Sequence, residues 1–96
     1  MEFVPNEDVS REQLVVMIKN YADYIGIDTK TDATLNAYID NKNVSAWATD
    51  SFAWAVSVGI INGKENNTLD PKGKATRAEV AAILERFIEK FVPNLK

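Results

Sequence analysis

The alternation of apolar and polar positions predicts three helices. In the first, Leu14, Met17, Ile18, Tyr21 and Ile25 recur at three- and four-residue steps, which sets them on one face ending near Gly26. Ser10-Arg11-Glu12-Gln13 opens it as a capping box, the serine accepting from the third following amide and the glutamine reaching back to the cap. A second helix is expected from a Ser45 cap to about Gly59. Trp47, Phe52, Trp54, Ala55, Val56 and Val58 give it an apolar surface broad enough for burial on more than one side. The third begins at a second capping box, Thr76-Arg77-Ala78-Glu79, and continues through Val80, Ile83, Leu84, Phe87 and Phe91.

The chain repeats itself. At one fixed offset Ser10 falls on Thr76, Arg11 on Arg77, Leu14 on Val80, Met17 on Ile83, Ile18 on Leu84 and Tyr21 on Phe87. Phe3-Val4-Pro5 likewise falls on Leu69-Asp70-Pro71. A proline-marked turn followed by a capped amphipathic helix therefore occurs twice, as in a repeat array. The division expected is residues 1–31 as the second half of one unit, with its helix over about 10–26. Residues 32–96 form a complete unit with helices over about 45–58 and 76–91. Asp28 to Asn43 reads as a polar connector anchored by Leu35, Tyr38 and Ile39. Between the last two helices, Ile60-Ile61 and Thr68-Leu69 are placed to pair as a minimal β-ribbon, reversing through Gly63 and Asn66-Asn67. The fold class is all-α, with that short turn or ribbon before the last helix.

Composition narrows the chemistry. At 96 residues the chain makes one small core, to which a partner or a neighbouring repeat would add stability. A net charge of −3 argues against a nucleic-acid binder, which needs clustered cations to displace counterions. With no cysteine and no histidine there is no disulfide, no thiolate, no imidazole base and no metal site built on either residue. Asp40-Asn41-Lys42-Asn43 lacks the alternating oxygens and the glycine of a calcium loop, so no metal or cofactor is expected. No apolar run reaches the roughly 20 residues of a membrane span, and the segment from Met1 to Pro5 carries no basic-then-apolar export signal.

In order along the chain stand Tyr38-Ile39-Asp40, Trp47-Ala48, Trp54-Ala55-Val56, Gly59-Ile60-Ile61-Asn62-Gly63, Leu69-Asp70-Pro71 and Thr76-Arg77-Ala78-Glu79. This succession resembles one full S-layer homology repeat from about Leu35 to Phe91, preceded by the second half of another from Phe3 to about Ile27. The resemblance implies a non-catalytic module at the bacterial cell surface or S-layer, with the export signal elsewhere in a longer parent chain. It also implies that the partner is an anionic, often pyruvylated, secondary cell-wall polysaccharide or peptidoglycan-linked glycan. Carried over by position, Arg77 and its counterpart Arg11 are the ligand-binding arginines, Asp40 and Trp47 the acid and aromatic that open a repeat, and Gly63 the glycine near the sugar. One departure is plain: the first copy has Ser10-Arg11-Glu12-Gln13 where the family most often has Thr-Arg-Ala-Glu.

The residues themselves fit such a site. An arginine just inside a helix start combines a fork of donors with free amides and the positive end of the helix dipole, a setting for a carboxylate. Asp40 can accept sugar hydroxyls, Trp47 or Trp54 can offer a face to a pyranose ring, and Lys64 adds a mobile charge. The same residues also admit plainer roles. The arginines can lie on solvated faces or pair with acids, Asp40 can hold the connector, both tryptophans can be core, and Gly59 and Gly63 can serve backbone geometry alone. The rival function is a structural or protein-interaction repeat that has lost glycan binding and packs against neighbouring repeats or forms a homo-oligomer. A carboxylate-based glycan hydrolase finds no acid/base pair, Glu79 being primarily a cap residue.

Overall fold

The computed structural model describes residues 9–62 and 67–92. Helix α1 spans Arg11–Tyr24, α2 spans Thr49–Ser57 and α3 spans Arg77–Phe91. Short 3-10 turns at Asn41–Asn43 and Ala46–Ala48 precede α2. The fold among the described residues is all-α, as the apolar periodicity predicts.

Both predicted capping boxes are formed. The hydroxyl of Ser10 accepts from the Gln13 amide while the Gln13 side chain accepts from the Ser10 amide, and Thr76 and Glu79 do the same for α3. At their other ends α1 and α2 stop alike. Gly26 (φ +92°) and Gly59 (φ +82°) take the left-handed conformation, and paired reverse bonds close the last turns. These run from Gly26 N to Asp23 O and Ile27 N to Ala22 O, and from Gly59 N to Val56 O and Ile60 N to Ala55 O. The second of these stops delivers Ile60 and Ile61 straight into the core.

The start of α2 differs from expectation. Ser45 does not cap a continuous helix; its amide and hydroxyl are bonded to Glu12 of α1, and Ala46–Ala48 form a 3-10 turn before the α-helix begins at Thr49. Trp47, on that turn, is 60% exposed. The middle of α2 is buried as its composition demands: Ser51 to Ala55 are five consecutive buried residues. Of the connector anchors, Leu35 is buried and Tyr38 half-buried, whereas Ile39 faces solvent.

The buried stripe of α1 is rotated from the one predicted. Leu14, Val15, Ile18 and Ala22 are buried, together with the polar pair Arg11 and Glu12, whereas Met17, Tyr21 and Ile25 are 40–49% exposed. At about 100° per residue, 11, 14, 15, 18 and 22 share one narrow meridian, and 17 and 21 lie on its flank. The meridian starts on the charged Arg11, with buried Glu12 beside it, which is why the apolar pattern alone selects the flank. In α3 the expected Val80, Ile83 and Phe87 are buried, and Leu84 and Phe91 pack at the margin.

The two copies share one core cluster. Helix α1 packs on α2 and on the 3-10 turn before it, Tyr21 meets Phe87 edge-on at 6.0 Å between ring centroids, and Trp54 stacks on Phe91 at 5.9 Å. Ile60, Ile61 and Leu69 enter this core from irregular segments. Of the suggested β-ribbon, the reversal at Gly63 and Asn66 lies outside the described residues, as does the Phe3-Val4-Pro5 segment.

Candidate functional site: the joint between the two copies

Asp70-Pro71-Lys72-Gly73 is a tight turn closed by a 3.1 Å bond from Gly73 N to Asp70 O. Asp70 has a positive φ of 51°, and its carboxylate lies over Gly73 so closely that a Cβ there would meet Oδ2 at 2.2 Å. The turn aims its carbonyls at the start of α1. The amides of Arg11 and Glu12, which have no partner inside the helix, donate to Gly73 O at 2.9 Å and Pro71 O at 3.0 Å. Ala75 N adds a 2.8 Å bond to Val9 O beside an isolated Ser10–Lys74 bridge.

Asp40 holds the turn from the other side. Its Oδ1 accepts from Leu69 N and its Oδ2 from Asp70 N, both at 2.8 Å, and Ile39 N bonds Asn67 O at 3.0 Å. Of the two roles open to Asp40, the structure displays the clamp. Asp40→Ala strips two amides of a charge-assisted partner, and chemical denaturation is expected to show a loss of about 2–3 kcal/mol. Asp40→Asn, keeping one acceptor, is expected to lose about half as much.

Arg11 is 4% exposed and its fork is largely committed. Nε donates to Leu69 O at 2.8 Å, Nη1 pairs with the Glu79 carboxylate of α3, and Nη2 reaches Asn62 O at 3.4 Å. A buried arginine needs such a set of acceptors to offset its desolvation. Glu12, 3% exposed, faces the opposite side of the joint. Its Oε1 accepts from Ser45 N at 2.9 Å, and its Oε2 accepts from the Ser45 hydroxyl at 2.8 Å and from Lys72 Nζ at 2.9 Å. Burial alone would raise its pKa, but the Lys72 bond, the Ser45 amide and hydroxyl and the Lys72 charge outweigh it and hold the carboxyl below the ordinary glutamate range.

Between α1, the segment after α2 and α3 this arrangement leaves a cleft of about 220 Å³, lined by Arg11, Asn62, Glu79 and Arg86 over a floor of Ile61 and Ile83. Glu79 and Arg86 are seven residues apart on α3 and so share a face. Arg77, two residues before Glu79, projects about 200° away from it. It is exposed, lies outside this cleft, and has no hydrogen-bond or ion-pair partner among the described residues. Asp40 reaches the cleft only indirectly, through Leu69, and Trp47 stands exposed on its own turn. Gly63 and Lys64 lie outside the described residues.

Three residues of the joint escape the sequence reading. Glu12 is visible there only as a departure from the repeat pattern; the copies differ at that position, Glu12 against Ala78, and it is there that α1 is tied to Ser45 and Lys72. Asn62 figures there only as part of the Gly59–Gly63 turn, and Arg86 carries no pattern of its own, although the step from Glu79 to Arg86 already puts those two on one helix face.

Residues 40–81 match the model of the S-layer homology domain. The chain carries an S-layer homology domain. The match runs from the Asp40 clamp through the first turn of α3, so it contains both the turn that receives α1 and the helix start bearing Arg77. Such domains are cell-surface anchoring modules.

Three curated proteins are similar over nearly the whole chain. An amylopullulanase of Thermoanaerobacterium thermosulfurigenes is 35% identical over 86 residues, which is 90% of this chain and 5% of that protein. Exoglucanase XynX of Acetivibrio thermocellus is also 35% identical over 86 residues, covering 90% of this chain and 8% of its own length. An endoglucanase of Bacillus sp. (strain KSM-635) is 26% identical over 89 residues, 93% of this chain and 10% of that protein. The chain thus spans between 5% and 10% of the length of these relatives. No solved structure matches significantly. Among the described residues no helix is long and apolar enough to cross a membrane.

Proposed function

We propose that this S-layer homology domain holds a larger protein on the bacterial cell wall by binding an anionic secondary polysaccharide, without turning it over. The observation that carries the proposal is the family match over 40–81, which takes in the capped start of α3 and its exposed Arg77. The relatives support the same division of labour. A stretch amounting to 5–10% of proteins named as glucan- and pullulan-cleaving enzymes fits an appended module better than a catalytic body.

The chemistry at Arg77 suits a carboxylate. Its guanidinium is exposed at the first residue of a capped helix, where the dipole and the first-turn amides favour negative charge. Exposed Trp47 offers a ring face for a sugar, Gly63 is the glycine that the repeat pattern sets near the sugar, and Lys64 adds a mobile positive charge. Arg11 and Asp40 enter as the supports that fix the turn between them.

Arg77→Ala is expected to weaken sedimentation with native Gram-positive walls at least tenfold, in line with the loss of one charge-assisted bond of about 1.5–3 kcal/mol. Unchanged binding by that variant removes Arg77 from the site.

A second reading has one specific observation in its favour. Met17, Tyr21, Tyr24 and Ile25 are 40–86% exposed at one end of α1. This patch suits packing against a neighbouring repeat or a second copy. Sedimentation equilibrium over a hundredfold concentration range tests it: a mass that rises with concentration favours packing and self-association, and a constant monomer mass opposes them.

A further inference from the structure

We infer that a second cleft, between the C-terminal half of α1, the connector and the first turn of α2, binds a free diamino acid, pairing its two ammonium groups with Asp32 and Asp50 and its carboxylate with Lys30. The cleft has a volume of about 400 Å³ and is lined by Lys19, Thr29, Lys30, Thr31, Asp32 and Asp50. It shares no lining residue with the cleft at Arg11 and Glu79, and none of Asp40, Trp47 or Arg77 lines it.

The wall on the α1 side is fixed by hydrogen bonds. Thr29 is 7% exposed, and its hydroxyl donates to the Asp23 carboxylate, which also pairs with Lys19 Nζ at 3.2 Å. Lys19 and Asp23 lie one turn apart on α1 and neutralise each other, so Thr29 offers the cleft an acceptor oxygen and not a donor. The connector continues through two local bonds of 3.0 Å, from Lys30 N to Asp28 Oδ1 and from Ala33 N to Thr31 Oγ1. The Thr31 hydroxyl reaches Ser57 Oγ at 3.5 Å. Ser57 stands seven residues after Asp50, on the same face of α2, so the connector runs along that face and brings Asp32 and Asp50 to one cleft.

Charge selects the ligand. Lys30, Asp32 and Asp50 are exposed, and none of their side chains has a hydrogen-bond or ion-pair partner among the described residues. One ammonium and two carboxylates therefore line the cleft, the complement of a diamino monocarboxylic acid, which carries two ammoniums and one carboxylate at neutral pH. A neutral sugar would leave all three charges unmatched, and a simple anion would meet two like charges. A metal ion is disfavoured, because no three acidic side chains gather to hold one among the described residues. No large apolar side chain lines the cleft, so an apolar amino acid gains nothing from burial there. The volume lies within the roughly 300–1,000 Å³ of small-molecule pockets.

The test is a titration of the intact chain with L-lysine, followed by amide chemical shifts at constant pH and low ionic strength, since salt screens charges that solvent reaches. Lysine is expected to shift the amides of Thr29, Lys30, Thr31, Asp32 and Asp50. Three analogues each lack one charge: norleucine the side-chain ammonium, cadaverine the carboxylate, and Nα-acetyl-lysine, which stands for a peptide-bound residue, the α-ammonium. Each is expected to bind roughly three- to fivefold more weakly, the scale of one solvent-reached ion pair. Asp50→Asn and Lys30→Gln are expected to weaken lysine by a similar factor with the folded spectrum retained. Glu85→Gln, which removes an exposed acid of α3 outside the cleft, is expected to leave it unchanged. No shifts at the cleft, analogues that bind as tightly as lysine, or wild-type affinity in both cleft variants overturns the inference.

Discussion

Replacing Glu12 with alanine is expected to cost about 2–4 kcal/mol of stability, because it leaves the Ser45 amide and hydroxyl and the Lys72 ammonium without their shared acceptor at a buried joint. For a domain with a total stability of roughly 5–15 kcal/mol that is a large share, and the melting temperature is expected to fall by about 10–20 °C. The same carboxylate makes the joint acid-sensitive. Its pKa is held below the ordinary glutamate range in the folded protein. Its contribution is therefore complete above the unfolded-state pKa and is lost as pH falls through the lower folded value. Glu12→Gln is expected to flatten that acid limb of the stability profile. An unchanged limb in the variant places the acid sensitivity elsewhere. At neutral pH Glu12→Gln is expected to fall between wild type and Glu12→Ala.

Trp54→Ala is expected to lose about 3–5 kcal/mol, the range for deleting a large buried aromatic. Trp54 is 1% exposed, sits between α2 and α3, and stacks on Phe91 at 5.9 Å. Its indole nitrogen is buried without a hydrogen-bond partner among the described residues. That detail sets a contrast between substitutions. Trp54→Phe keeps the ring stacking and removes an unpaired donor, so its loss is expected to stay below about 1.5 kcal/mol despite the smaller ring. A Phe variant as unstable as the Ala variant means that the indole volume, and not ring stacking, holds α3 in place. Urea melts of the three proteins measure it.

Much of this architecture is legible in the sequence, and the part that is not has a consistent cause. The two capping boxes, the helix ends at Gly26 and Gly59, and the apolar stripe of α3 all follow from local rules, and all are present. What local pattern misses is where one copy sits on the other. Arg11 reads in the sequence as a ligand arginine, a solvated charge or the partner of an acid, and Glu12 only as a departure from the repeat pattern, yet each is buried because its acceptors and donors come from residues 33 to 68 positions away. Burying them turns α1 so that Met17 and Tyr21, apolar and well spaced, end on its flank. Ser45 likewise looks like a cap until Glu12 takes both its amide and its hydroxyl. The arginine that repeats at each helix start is therefore two different residues in physical terms: Arg11 is buried as a strut in the joint, and Arg77 is exposed with no partner among the described residues.

The role proposed for this domain is to hold its parent protein on wall polysaccharide. The most direct measurement is co-sedimentation of the purified chain with Gram-positive cell walls, native and acid-stripped of secondary polysaccharide. Wall anchoring requires saturable binding to native walls that disappears on stripping and falls at least tenfold in Arg77→Ala. Equal binding to native and stripped walls, or none to native walls, contradicts it.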